Sequence, residues 1–123
     1  MLAVSGTMQS LFDSGEYNIA FQPKQIDHAM GQYTCGFWQV QCSLWDPAVV
    51  TECWGRLCQY VASGEAGCGV RCLLTDKGST IELHCYSAIL RYMYLLLHLV
   101  SGARVEGCKL LWFDYVGRVR VEM

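Results

Sequence analysis

Between Ala88 and Val100, thirteen consecutive residues carry a single charge, Arg91, inside the run HCYSAILRYMYLLLHLVSG from His84 to Gly102. No other stretch narrows the possible folds as much. A bilayer span needs roughly 20 apolar residues, whereas runs of about 10 to 14 usually form buried helices. The run is therefore expected as a helix from about Ser87 to Ser101, stopped by Gly102, with no membrane crossing. A helix apolar on all sides must be covered on more than one face. A sheet can cover one face, and a second copy or another partner is expected to cover the next. Arg91 and His98 mark the side expected to meet water.

The composition points the same way. The 123 residues fit one domain. They are 53% hydrophobic and 16% charged, against the quarter or so of charged residues usual for soluble domains. That excess of apolar residues favours a homo-oligomer or an obligate partner. The formal net charge of −2 leaves no electrostatic footprint for nucleic acid or acidic lipid.

Periodicity orders the rest. GFWQVQC alternates, with Trp38, Val40 and Cys42 on one face and Phe37, Gln39 and Gln41 on the other, and reads as a strand. In WDP, Asp46 suits an N-cap and Pro47 the first helical position. Val50, Cys53, Trp54, Leu57, Cys58 and Val61 then form the stripe of an amphipathic helix, closed by Ser63-Gly64. GVRCLLTDKGSTIELHC reads as a hairpin about Lys77-Gly78, which pairs Cys72 with Leu83 and Val70 with Cys85. Its core face holds Val70, Cys72, Leu74, Ile81, Leu83 and Cys85; Arg71, Leu73, Thr75, Glu82 and His84 lie opposite. KLLWFDYV, apolar on both faces, reads as a central or covered strand. After a turn at Gly117, RVRVEM alternates as a last one.

The order β-α-β-β-α-β plus a C-terminal strand is the split βαβ, or ferredoxin-like, α+β pattern, with two helices on one side of an antiparallel sheet. It occupies residues 34–123. Residues 1–33 carry little pattern beyond a short strand at Tyr17 to Phe21, stopped by Pro23, and are expected to form a partly ordered N-terminal arm.

Eight cysteines raise the questions of disulfides and metal. MLAVSGTMQS has neither a basic n-region nor a long apolar h-region. The expectation is an intracellular, reducing compartment with free, mostly buried thiols. No pair has the C-x₂-C spacing of a zinc knuckle. Cys68, Cys72 and Cys85 would share one strand face and could begin a zinc site. The same positions lie on the core side, where a reduced thiol packs as a small apolar group, and packing without a cofactor is the expected use. His84 points the other way from Cys85.

No G-x-S-x-G, P-loop or dinucleotide fingerprint is present, and SGEAGCG follows a helix and precedes a strand, the reverse of a phosphate cradle. Phe37, Leu73, His84 and Trp112 are expected on the helix-free sheet face. Ferredoxin-like RNA-binding domains stack bases on such a face. STIELHC lacks their basic-aromatic signature, so closure by a second copy, a partner or the N-terminal arm is expected instead.

GFWQVQ before WDP, IELHC closing a hairpin, the apolar helix and LLWFDY together resemble the adenoviral early-region-four proteins, over about two-thirds of the chain from Gly36 to Tyr115. That family includes a large cysteine-rich member that recruits a cullin ubiquitin ligase and a small one that assembles nuclear scaffolds. The chain departs from the large member: Cys85 is followed by Tyr86-Ser87 where that member has a further cysteine. No leucine stands four residues before a cysteine, as its adaptor boxes require. In length and element order the chain is closer to the small member. The resemblance implies a non-enzymatic early protein of the host nucleus or cytoplasm that self-associates and binds host regulatory proteins. Ile89, Tyr92, Met93 and Leu96 on the second helix, with Val119, Val121 and Met123 on the last strand, are the candidates for self-association. An alternating strand at a sheet edge is suited to pairing with another copy.

Overall fold

In the computed structural model, residues 23, 25, 26, 30, 31, 33–67 and 69–123 are described. The strand expected at Tyr17 to Phe21 lies outside them, as does Cys68.

Local signals place most elements. Strand β1 is Gln25–Ile26 and β2 is Cys35–Gln41. Helix α1, Pro47–Ala62, starts as its cap demands: the Asp46 carboxylate accepts from the Ala48 N–H at 2.9 Å and Pro47 occupies the first turn. It buries Val50, Cys53 and Leu57, the centre of the expected stripe. Strands β3, Arg71–Thr75, and β4, Thr80–Tyr86, form the expected hairpin in the expected register, with Cys72 opposite Leu83. Lys77 and Gly78 both take the left-handed φ of a two-residue turn, and Asp76 joins them.

A 3₁₀ turn, Ser87–Ile89, leads into helix α2, Leu90–Ser101. Gly102, at φ 61°, ends it in the left-handed conformation. Strand β5 is Leu111–Asp114 and β6 is Val119–Glu122. In the turn between them, Asp114 Oδ1 accepts from the N–H groups of Val116 (3.1 Å) and Arg118 (2.9 Å). Its Oδ2 pairs with Arg118 and Arg120 at 3.4 and 3.2 Å. These contacts, the Arg118 N–H first, hold the Asp114 carboxyl below the ordinary aspartate range.

The sheet runs β1-β6-β5-β2-β4-β3, every neighbouring pair antiparallel. Strands β5-β2-β4-β3 with α1 and α2 are the ferredoxin-like α+β fold, and β6 and β1 extend the sheet beyond β5. As expected of an apolar strand, β5 is internal, between β6 and β2.

The core lies between helices and sheet: Trp38, Leu83, Trp112, Val121, Leu57 and Leu96 are fully buried. Each such side chain contributes about 1.5–3 kcal/mol relative to exposure. Trp38 also ties β2 to the start of α2, its indole N–H donating to the Leu90 carbonyl at 2.9 Å. Gly36 is forced by this packing. A Cβ there would lie 2.2 Å from the Phe113 carbonyl oxygen and 2.5 Å from the Trp112 ring.

Three expectations are corrected here. Helix α2 does not wait for a partner: α1, β4, β2 and the 3₁₀ turn Arg104–Gly107 pack around it and bury most of its residues. Met93 and Leu96, at 1% and 0% exposure, are core rather than interface. His98 does not face water either; it is buried, with Nε2 2.9 Å from Glu106 Oε1 beyond the helix end. The last strand is not a free edge. β1 pairs with β6, Ile26 opposite Val121, and the Val121 side chain is fully buried. Among the described residues no helix is long and apolar enough to cross a membrane.

Candidate functional site

The helix-free face of the sheet carries a connected aromatic and polar cluster drawn from four strands and the turn after β5. Alternation along β2 turns Phe37 outward because Trp38 turns inward. Across the β2–β4 ladder Phe37 stands opposite His84, and across the β2–β5 ladder opposite Phe113. Their rings stack on both sides of Phe37, at centroid distances of 4.9 Å and 5.5 Å. Tyr115, in the turn after β5, leans over the cluster with its ring 6.3 Å from Phe37 and 5.5 Å from His84.

The polar groups form one chain. Arg71 Nη2 lies 3.3 Å from the Tyr115 hydroxyl, which lies 2.6 Å from His84 Nδ1; His84 Nε2 lies 3.0 Å from Glu82 Oε1. A carboxylate only accepts, so Nε2–H donates to Glu82. Nδ1 then accepts from the Tyr115 O–H, whose oxygen accepts from Arg71. Burial pushes the His84 pKa below its ordinary 6.5, with Glu82 opposing and Arg71 assisting. Burial thus favours the neutral imidazole, and both its nitrogens are engaged by the protein.

Of the residues expected on this face, Phe37 is half-buried and Leu73 is 42% exposed. His84 points to the expected face but is closed over by its partners, leaving 5% exposed. Trp112 is a correction. It pairs with Trp38, shares its inward direction and is completely buried. Its neighbour Phe113 takes the outward place, because LLWFDYV is apolar at both parities and periodicity alone cannot choose between them. Arg71, Glu82, Phe113 and Tyr115 were not singled out as site residues. The Arg71 and Glu82 positions followed from the hairpin register, whereas Tyr115 arrives through a turn that no periodicity reports.

The remaining self-association candidates are mixed. Ile89, Tyr92 and Met123 are half-buried and pack on the core; Val119 is half-buried opposite Phe113. At the far edge, β3 bonds only β4 among the described strands, with Leu73 and Leu74 exposed by 42% and 38% on its two faces.

For metal, Cys72 and Cys85 are not brought together with a third ligand: no group of three or more His, Cys, Asp or Glu suited to an ion occurs among the described residues. Cys85 is buried and its pKa is pushed up to about 12 by desolvation, the mark of a packed thiol. A shallow groove of about 670 Å³ lies between Leu44, Trp45 and Val49 on one side and Arg104, Cys108 and Lys109 on the other. Its cations are engaged, Arg104 with the Ser101 carbonyl at 2.9 Å and Lys109 with Glu122 at 3.6 Å. It has no convergent polar set of the kind the sheet face has.

The chain matches no protein-family model, no curated protein and no solved structure.

Proposed function

We propose that this chain is a non-enzymatic binding module that self-associates and gathers host regulatory proteins, with the helix-free sheet face as its contact surface. The observation that carries this reading is the face itself. Phe37, Phe113 and Leu111 are only half-buried on β2 and β5, Leu73 is exposed on β3, and Tyr115 is 52% exposed above them. An aromatic centre framed by a few paired polar groups is the composition of a protein interface core. The charge on the face is balanced, Arg71 beside Glu82, which suits a protein partner better than a phosphate backbone. The closed His84 supports a binding rather than a catalytic role. The likeness of Gly36 to Tyr115 to the adenoviral early-region-four proteins supports an early regulatory role in a host nucleus or cytoplasm.

Sedimentation velocity at micromolar concentration tests the reading. The expected result is an oligomer that the double variant Leu73→Asp/Phe113→Asp converts to monomer with an unchanged far-ultraviolet spectrum. A strict wild-type monomer, or salt-dependent binding of single-stranded RNA that Phe37→Ala abolishes, would overturn it in favour of the nucleic-acid reading.

A further inference from the structure

The thiols of Cys58 on α1 and Cys72 on β3 lie with their sulfurs 3.9 Å apart. Both side chains are half-buried, so small reagents reach them, unlike Cys42, Cys53 and Cys85, which the core encloses. Among the described residues this is the one pair of sulfurs in contact. The pair bridges two different elements, the helix and the strand at the sheet's open edge.

We propose that Cys58 and Cys72 form a redox modification site, a dithiol that a peroxide closes into a disulfide and a thiol reductant reopens. A disulfide needs its sulfurs at about 2.05 Å, so closure asks for an approach of roughly 2 Å, within reach of side-chain rotation. Burial and the neighbouring Cys58 raise the Cys72 pKa. One sulfur of the pair attacks the peroxide, the O–O bond breaks, and a sulfenic acid forms as the first water leaves with that thiol's proton. The other sulfur then displaces the sulfenic oxygen, which departs with the second thiol's proton as a second water. Two thiols and one hydrogen peroxide thus give one disulfide and two waters. A thiol reductant reverses the bond by exchange. The crosslink staples α1 to β3 across a loop of about 14 residues, which restrains the unfolded chain.

The test uses the full chain treated with stoichiometric hydrogen peroxide and mapped by non-reducing peptide mass spectrometry. The expected product is a single linkage between the peptides carrying Cys58 and Cys72, 2 Da lighter than the reduced pair. The expected melting temperature rises by about 10 °C and returns on addition of dithiothreitol. Cys58→Ser and Cys72→Ser should each lose both the linkage and the rise, while Cys68→Ser keeps them. Linkages dominated by Cys68 or Cys108, or single-site oxidation without a crosslink, would overturn the assignment.

Discussion

The two faces of the sheet are built from alternate residues of the same strands, yet they are organised by different physics. The covered face is a packing problem. Trp38, Leu83 and Trp112 are fully buried beneath two helices, and Gly36 has no room for a methyl group against the Trp112 ring and the Phe113 carbonyl of the next strand. The open face is a bonding problem. Arg71, Tyr115, His84 and Glu82 satisfy one another in a line, and the rings of Phe37 and Phe113 stack beside them without a helix above. One face therefore specifies the fold, and the other is left with half-exposed apolar surface that a partner can bury.

The sharpest way to break this contrast uses adjacent residues. Trp112→Ala, inward, should destabilise the domain by about 3–5 kcal/mol. Phe113→Ala, outward and half-exposed, should cost about 1 kcal/mol. Urea unfolding of the two variants measures the difference, and equal losses would erase the distinction between the faces. Next in size, Gly36→Ala should cost about 1–3 kcal/mol through overpacking against Phe113 and Trp112; a neutral result would mean that β2 and β5 can separate freely.

The polar line on the open face makes a pH prediction. His84 has a folded pKa below its unfolded value, so on acidification the unfolded state takes up a proton first. The stability associated with the neutral imidazole is present above about pH 6.5 and falls as pH drops through the depressed folded value. His84→Gln should flatten the change in chemical stability between about pH 7.5 and about pH 5.5; an unaltered slope would mean that His84 is not held neutral. Asp114 runs in a lower window. Its depressed carboxyl supports the fold above the ordinary aspartate range and releases that support as pH falls through the folded value, so Asp114→Asn should blunt acid unfolding. The smallest effect is expected from Leu73→Asp, within about 0.5 kcal/mol of wild-type monomer stability, since Leu73 is exposed on an edge strand.

Much of the covered face was legible in the sequence. Asp46-Pro47 and the stripe from Val50 to Val61 define α1 by rules that operate within one turn, and Lys77-Gly78 fixes the register of β3 and β4. What the sequence hid depends on distant neighbours. The apolar surface of α2 looked too large for one domain because α1 and the turn after the helix, which cover much of it, meet it only in three dimensions. His98 reads as a solvent marker until Glu106 folds back to it. Two residues, Gln25 and Ile26, are too few to show alternation, so the strand that closes the β6 edge was invisible. The open face was found through Phe37, Leu73 and His84, but its centre was misplaced by one residue, from Phe113 to Trp112, where a strand apolar at both parities gives no direction.

Hydroxyl-radical footprinting of the full chain, compared between dilute and micromolar samples, reads the two faces separately and tests the claim that the open one is the contact surface. Protection is expected at Phe37, Leu73, Phe113 and Tyr115 as concentration rises, with Leu44, which is 98% exposed away from that face, oxidised equally in both samples. Protection centred on Leu44, Trp45 and Val49 instead, or no concentration-dependent protection at all, would contradict it.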